Sequence, residues 1–134
     1  MKVLFSAEVI FAILKEEDCA ADGRSLLNAC QEKRLDGYIC IDTLVQLSRM
    51  LDRKRFALAL PILSKLLTPI GVNLRDLREA MAYQNMEKGL EIVLTYRHRL
   101  NCLVVKQKNL YDNSTIKLYV PKELKRMLED GKTD

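Results

Sequence analysis

The chain has 134 residues, of which 49% are hydrophobic and 30% charged, and its formal net charge is +4. This is the size and composition of one globular domain, and no apolar run approaches the roughly 18–20 residues that cross a bilayer. No signal-peptide pattern opens the chain, so we expect a cytoplasmic protein with no membrane partner. The four cysteines form no Cys-x-x-Cys pair and His98 is the single histidine, which excludes the usual zinc sites.

Strand and helix patterns alternate along the sequence. Short apolar runs such as "VLF" over residues 3–5 are typical of strands covered on both faces, and segments with helical spacing separate them. Gly37 is predicted to end a helix, Asp42 and Asn73 to cap two others, and Pro121 to begin the last one. In chain order, the predicted elements are a strand over 3–5, a helix over 8–15, a connector over 16–23, a helix within 23–37, a strand over 38–41, helices over 43–51 and 56–67, a strand within 68–72, helices over 74–84 and 85–100, strands over 102–105 and 115–120, and a helix over 121–130.

Strands that alternate with helices predict an α/β fold, here a three-layer α/β/α sandwich with a mostly parallel central sheet. We expect one domain over residues 1–128 and a C-terminal tail over residues 129–134. Ligands of such folds bind beyond the carboxyl ends of the strands. The residues that directly follow the strands are therefore the ones to inspect for function.

Those strand-end residues carry a resemblance to a known family. The stretches "VLFSAEVI", "YICIDTLVQL", "MEKGLEIVL", "CLVVKQKNLY" and "LYVPKEL" occur in the order and at the spacing of the motifs of PIN domains. The PIN domain is a small α/β nuclease fold, found in toxins of toxin–antitoxin pairs and in RNA-processing enzymes. Over residues 1–128 the chain resembles a PIN domain, which implies the same layered fold.

PIN nucleases hold divalent ions with three or four carboxylates, and the matching positions of this chain carry none. Mg²⁺ and Mn²⁺ prefer oxygen ligands and need charged carboxylates to offset their own charge. The resemblance therefore implies a domain with no catalytic residue, no resident metal and no cofactor. The four positions of the family's acids carry Ser6, Gln46, Lys88 and Gln107 in this chain. Ser48 is the other candidate for the second position, and Asn109 occupies the position that accompanies the fourth.

An alternative is a divergent, toxin-like ribonuclease in which displaced carboxylates hold Mg²⁺ or Mn²⁺. Glu8, Asp42 and Glu87 are the acids that lie nearest to the vacated positions. Asp42 is explained more simply as a helix cap. Glu87 and Glu91 lie one helical turn apart, where a solvated helix N-terminus favours negative charge.

A groove that has exchanged carboxylates for lysines attracts phosphate instead of a metal ion. One hypothesis is therefore a catalytically inactive PIN-like module that binds RNA through the former active-site groove. Another is a protein-interaction or regulatory module, in which the apolar segment "FALALPILSKLL" forms the interface of a homodimer. The candidate RNA-binding residues, whose lysines are expected at the mouth of the groove, are Lys88, Lys106, Lys108, Arg97 and Tyr111.

Overall fold

The computed structural model describes residues 1–111 and 115–131. Within these ranges the chain forms seven α-helices, five strands and a one-turn 3-10 helix over Lys108–Leu110. The helices and strands in chain order are β1 (Lys2–Phe5), α1 (Ala7–Leu14), α2 (Ala20–Gln31), β2 (Asp36–Cys40), α3 (Ile41–Met50), α4 (Arg53–Leu66), β3 (Thr68–Ile70), α5 (Leu74–Ala80), α6 (Met86–Arg97), β4 (Cys102–Val104), β5 (Leu118–Tyr119) and α7 (Pro121–Glu129).

The five strands form one sheet with the order β3-β2-β1-β4-β5. β1 lies at its centre, and Val3 pairs with Gly37 of β2 on one side and with Cys102 of β4 on the other. Every pairing between these strands is parallel, so each connection crosses over a face of the sheet and helices cover both faces. The predicted three-layer α/β/α fold is confirmed.

Two hydrophobic cores lie on opposite faces of the sheet. Val3 and Phe5 of β1 pack into the core shared with α1 to α4 and α7, whereas Leu4 packs into the core shared with α5 and α6. All three side chains are fully buried, as the alternation of side chains along a strand requires when both faces are covered. The interpretation of "VLF" as a doubly covered strand is therefore confirmed.

Helix α2 lies closer to the N-terminus than predicted. It begins at Ala20, inside the segment predicted as a connector, and it ends at Gln31. Gly37, predicted as a helix stop, lies instead in β2. A Cβ atom on Gly37 would come 2.5 Å from Leu67 Cδ2 and 2.7 Å from Cys30 Sγ. The prediction was wrong because the missing side chain of Gly37 lets Leu67 and Cys30 pack directly against β2, and this packing is not visible in the local sequence.

The predicted helix caps had different outcomes. Asn73 caps α5, because its side chain accepts a hydrogen bond from Asp76 N at 2.8 Å and Asp76 accepts one from Asn73 N in return. Pro121 begins α7 as predicted. Asp42 does not cap α3, because β2 runs directly into that helix and the cap position falls on Cys40. The capping prediction for Asp42 was therefore wrong.

The C-terminal predictions are only partly covered by the described residues. The strand predicted over 115–120 is observed at Leu118–Tyr119. Of the predicted tail, Glu129 still belongs to α7, and residues 132–134 lie outside the described ranges. Among the helices in those ranges, none is both long enough and apolar enough to cross a membrane.

Candidate functional site

A cleft opens at the carboxyl edge of the sheet, between α1, α3 and α6. It lies where ligands bind in parallel folds, since α1 and α3 begin directly after β1 and β2. Its volume is about 180 Å³. We call it the acidic cleft, and its polar lining includes Glu8, Asp42, Gln46, Glu87, Lys88 and Glu91.

Ser6 lies at the end of β1, directly before Ala7 of the cleft. It is fully buried and caps α1, because its Oγ accepts a hydrogen bond from Val9 N at 3.3 Å. Serine and aspartate are comparably good helix caps. A serine at this position therefore begins the helix as an aspartate would, but it supplies no negative charge to a metal ion.

Glu91 is the buried carboxyl group of the acidic cleft. Its Oε2 accepts a hydrogen bond from Ala7 N at 2.7 Å, and its Oε1 accepts one from the Tyr111 hydroxyl at 2.6 Å. Burial raises the pKa of Glu91 to about 7, although the two donors and the ammonium of Lys88 limit the rise. The group therefore binds a proton near neutral pH, and both of its oxygens are engaged within the protein.

Tyr111 is the side-chain donor of the hydrogen bond to Glu91 Oε1. It is buried, and burial together with the neighbouring Glu91 carboxyl raises the pKa of Tyr111 above its usual range. Its hydroxyl therefore stays protonated and donates a hydrogen bond to Glu91 Oε1. The contact joins α6 to the segment that follows β4.

Lys88 places an ammonium group among the carboxylates of the cleft. Its Nζ lies 2.6 Å from Glu8 Oε1, and the two side chains are 17% and 33% exposed. The same nitrogen lies 5.7 Å from the centre of the Tyr111 ring, within the range of a cation–π contact. The acidic cleft thus contains a cation that belongs to the chain itself.

Gln46 and Asp42 form the α3 side of the cleft. Gln46 Nε2 donates a hydrogen bond to Asp42 Oδ2 at 2.8 Å. Ser48, the rival register, is exposed and donates to the carbonyl oxygen of Val45. Of the two positions considered for the second family acid, Gln46 is the one that lines the cleft.

The cleft is negatively charged, contrary to the expected exchange of carboxylates for lysines. The carboxyl groups of Glu8, Asp42, Glu87 and Glu91 line it together with one ammonium group, so its charge is negative whether or not Glu91 holds a proton. Even so, no three histidine, cysteine or acidic side chains in residues 1–111 and 115–131 form a group that could hold a metal ion. The negative charge is instead partly compensated by contacts within the protein.

Lys106 and Lys108 do not line the acidic cleft. Lys106 Nζ lies 3.6 Å from Glu17 Oε1, in the connector between α1 and α2. Lys108 Nζ lies 2.7 Å from Glu123 Oε1 of α7. Each of these two lysines pairs with an acid outside the cleft. Of the three candidate lysines, the structure brings Lys88 alone into the cleft.

Arg97 lies near the far end of α6, about 14 Å along the helix axis from Lys88 at 1.5 Å per residue. Its Nε lies 2.6 Å from Asp76 Oδ1, a carboxylate with no exposed surface. This ion pair joins α6 to α5. The structure therefore gives Arg97 a structural contact and does not bring it to the cleft.

The positions predicted for the fourth family acid also lie outside the cleft lining. Gln107 is exposed and directly precedes the 3-10 helix. Asn109 lines a neighbouring pocket together with Lys88 and Tyr111. From this part of the chain, it is Tyr111 that reaches the cleft.

The role of Glu91 was missed by the sequence analysis, which interpreted it as one half of a solvated pair with Glu87. Glu87 is exposed, but Glu91 and its neighbours Leu90 and Ile92 are buried, since this part of α6 is covered on both sides. The sequence does contain a sign that Glu91 is buried, because Glu91 is the single charged residue in "GLEIVLT" over residues 89–95. A charge inside an apolar run indicates a buried group with a specific partner.

The acidic cleft lies at the sheet edge where the resemblance to PIN domains implies the former active site. No protein-family model and no curated protein matches this sequence, so membership of the PIN family stays a prediction that rests on the motifs quoted above.

Proposed function

We propose that this protein is a catalytically inactive PIN-like module that acts by binding another protein. The observation that carries the proposal is the Lys88–Glu8 ion pair inside the acidic cleft. The pair offsets the charge of the carboxylate that follows Ser6 in α1, and its ammonium repels a cation that approaches that carboxylate. The ammonium of Lys88 thus opposes the ion on which nuclease chemistry depends.

The hydrogen bonds of the cleft support the same conclusion. Both oxygens of Glu91 accept hydrogen bonds, from Ala7 N and from Tyr111, and Asp42 accepts one from Gln46. Each donor occupies a lone pair that would otherwise face a bound ion. The cleft is therefore arranged to satisfy its own polar groups rather than to coordinate a ligand.

The alternative of a divergent ribonuclease has less support. Its displaced ligands Glu8, Asp42 and Glu87 do line the cleft. However, Glu8 Oε1 is paired with the Lys88 ammonium, which would repel Mg²⁺ or Mn²⁺ at this carboxylate. The ion pair therefore favours the inactive module over the ribonuclease.

RNA binding at this site also has less support than protein binding. A cleft lined by four carboxyl groups and one ammonium repels the phosphates that dominate affinity for nucleic acids. Lys106 and Lys108, which were expected to reverse that charge, are paired with Glu17 and Glu123.

A protein partner suits the exposed apolar residues of α4. Leu58 and Ile62 are 65% and 60% exposed and lie one helical turn apart, so they present an apolar patch to a partner. They belong to the segment from which a homodimer was predicted. That homodimer stays a prediction, and light scattering of the purified protein tests it.

A metal titration tests the inactive-module proposal. The melting temperature of the wild-type protein is measured with increasing MnCl₂ and MgCl₂, together with cleavage of single-stranded RNA. We expect neither a metal-dependent rise in melting temperature nor cleavage, because an ion that bound the native state would stabilise it. A metal-dependent rise, or RNA cleavage that is lost in Glu8→Gln, would overturn the proposal in favour of the ribonuclease.

Two variants of Lys88 sharpen this titration. Lys88→Gln removes the ammonium but keeps a polar side chain, whereas Lys88→Arg keeps the positive charge. We expect Lys88→Gln to gain a Mn²⁺-dependent rise in melting temperature and Lys88→Arg to behave like the wild type. That difference would assign the exclusion of the ion to the charge of Lys88 rather than to the shape of the cleft.

A further inference from the structure

A second concave surface, of opposite charge, lies between the end of α1, the start of α2 and the α3–α4 junction. Its volume is about 840 Å³. Apolar side chains line part of it, among them Leu14 and Met50, which are 38% and 37% exposed. We call this surface the basic groove, because its charged lining consists of Lys15, Arg24, Arg55 and one acid, Glu16.

The cations of the basic groove are available to a ligand. Within residues 1–111 and 115–131, Lys15 and Arg24 make no ion pair and no side-chain hydrogen bond. Arg55 lies 3.7 Å from Asp52, an exposed contact of the kind that contributes little. Further exposed cations follow along the chain at Arg53 and Lys54.

Helix α4 extends the groove with an apolar stripe. Arg55 and Ala59 line the groove, and Leu58 and Ile62 follow at the spacing that places residues on one helix face. Leu58 and Ile62 are the strongly exposed members of this stripe. A ligand that covers the groove and the stripe must therefore offer both apolar surface and negative charge.

We infer that the basic groove, together with the α4 stripe, is a docking surface for an acidic amphipathic helix of a partner protein. The inference names the kind of partner for the protein-binding role proposed above, and it rests on that role. The apolar face of such a helix covers Leu14, Met50 and Leu58, and its carboxylates meet Arg24 and Arg55. This is the helix-in-groove mode of recognition, with complementary charge at the rim.

A second copy of the chain is a poorer occupant. A two-fold contact brings the same patch of each copy together, so the unpaired Lys15 and Arg24 of one protomer would meet those of the other. RNA is also a poorer occupant, because it offers nothing to the exposed Leu58 and Ile62. Moreover, none of the groove-lining residues that the structure describes is an aromatic side chain on which bases could stack.

The inference is tested with a designed peptide and the chain of residues 1–134. The probe is a fluorescein-labelled helical peptide of about 18 residues, with leucines on one face and glutamates on the others. One control peptide has the same composition in scrambled order, and another has lysine in place of glutamate. Binding is measured by fluorescence anisotropy at low and high salt.

The protein variants separate the contribution of charge from that of apolar contact. Arg24→Glu/Arg55→Glu reverses the charge of the groove, and Leu58→Ser removes exposed apolar surface. Lys122→Glu/Arg126→Glu makes the same change of charge on exposed residues of α7 and serves as the matched control. If the first double variant does not fold, as judged by circular dichroism, Arg24→Ala/Arg55→Ala replaces it.

We expect the acidic amphipathic peptide to bind the wild-type protein and the α7 control variant equally well. The groove variant and Leu58→Ser should each bind it at least about tenfold more weakly, a loss of about 1.4 kcal/mol. Added salt should weaken binding to the wild type, because the rim charges are exposed.

Several outcomes would overturn the inference. Equal binding of the scrambled or the lysine peptide would do so, as would binding that is unchanged in the groove variant. Competition by polyuridylate that Leu58→Ser does not affect would indicate a phosphate-binding surface. A wild-type dimer that Leu58→Ser dissociates would assign the surface to a second copy. None of these results alters the metal titration, so failure of this inference is distinguishable from failure of the inactive-module proposal.

Discussion

The acidic cleft and the basic groove differ in how their charges are satisfied. In the cleft, Lys88 forms an ion pair with Glu8, and Glu91 accepts hydrogen bonds from Tyr111 and Ala7 N. In the groove, Lys15 and Arg24 have no partner among the described residues. Polar groups that are paired within a fold are not available to a ligand, whereas unpaired exposed charges are free to recognise a partner. The polar groups of the cleft are therefore engaged within the fold, and the cations of the groove are left for recognition.

The largest expected effect concerns Glu91 and pH. Its raised pKa of about 7 means that the native state holds this proton more tightly than the unfolded chain does. The stability that Glu91 contributes is therefore fully present at low pH and is lost as the pH rises toward 7. Between about pH 5 and about pH 8 this loss amounts to about 2–3 kcal/mol.

Glu91→Gln should remove this dependence on pH, because an amide does not titrate. The measurement is urea unfolding of the wild type and of the variant at both pH values. Glu129→Gln, at an exposed carboxyl group of α7, is the matched control and should follow the wild type. If the free energy of unfolding of Glu91→Gln changed with pH as much as that of the wild type, Glu91 would not be the source of the pH dependence.

The next largest effect is expected for Tyr111→Phe. This change leaves Glu91 Oε1 buried without its donor, which should lower the free energy of unfolding by about 1–2 kcal/mol. Tyr96→Phe is the control, since the Tyr96 side chain is 70% exposed and its hydroxyl reaches water. Equal effects of the two changes in urea unfolding would argue against the contact between Tyr111 and Glu91.

A smaller effect is expected for the ion pair between Glu8 and Lys88. A double-mutant cycle with Glu8→Gln and Lys88→Met should give a coupling energy of about 0.5–1 kcal/mol, since the pair is only partly shielded from water. The exposed pair Arg75–Glu79 serves as the reference, with an expected coupling below about 0.5 kcal/mol. No coupling between Glu8 and Lys88 would remove the main argument against a metal ion in the cleft.

The smallest effect on stability is expected in the basic groove. Arg24→Ala should change the free energy of unfolding by less than about 0.5 kcal/mol, because this exposed side chain has no partner to lose. Urea unfolding measures the change. A loss as large as that of Tyr111→Phe would show that Arg24 is committed to the fold, and the contrast between the two regions would then fail.

Much of the fold could be predicted from local patterns. The alternation of strands and helices predicted the layered sheet, and Asn73 and Pro121 marked helix starts correctly because caps act over a single turn. The same pattern directed attention to the carboxyl edge of the sheet, where the acidic cleft lies. The predictions for Gly37 and Asp42 were wrong, because packing against Cys30 and Leu67 and the direct passage of β2 into α3 are not visible in local sequence.

Sequence alone determined the order of the helices and strands of this protein, since the spacing of apolar residues acts between near neighbours. Only the tertiary structure decided the partners of Lys88, Glu91, Lys106 and Lys108. Lys88 meets Glu8 from 80 residues away and Glu91 meets Ala7 N from 84 residues away, and Lys106 and Lys108 meet acids on separate elements. Such pairs form because the parallel sheet brings distant helix ends to one edge. The same sheet buries Glu91 and leaves Arg24 exposed, and this difference separates the cleft from the groove.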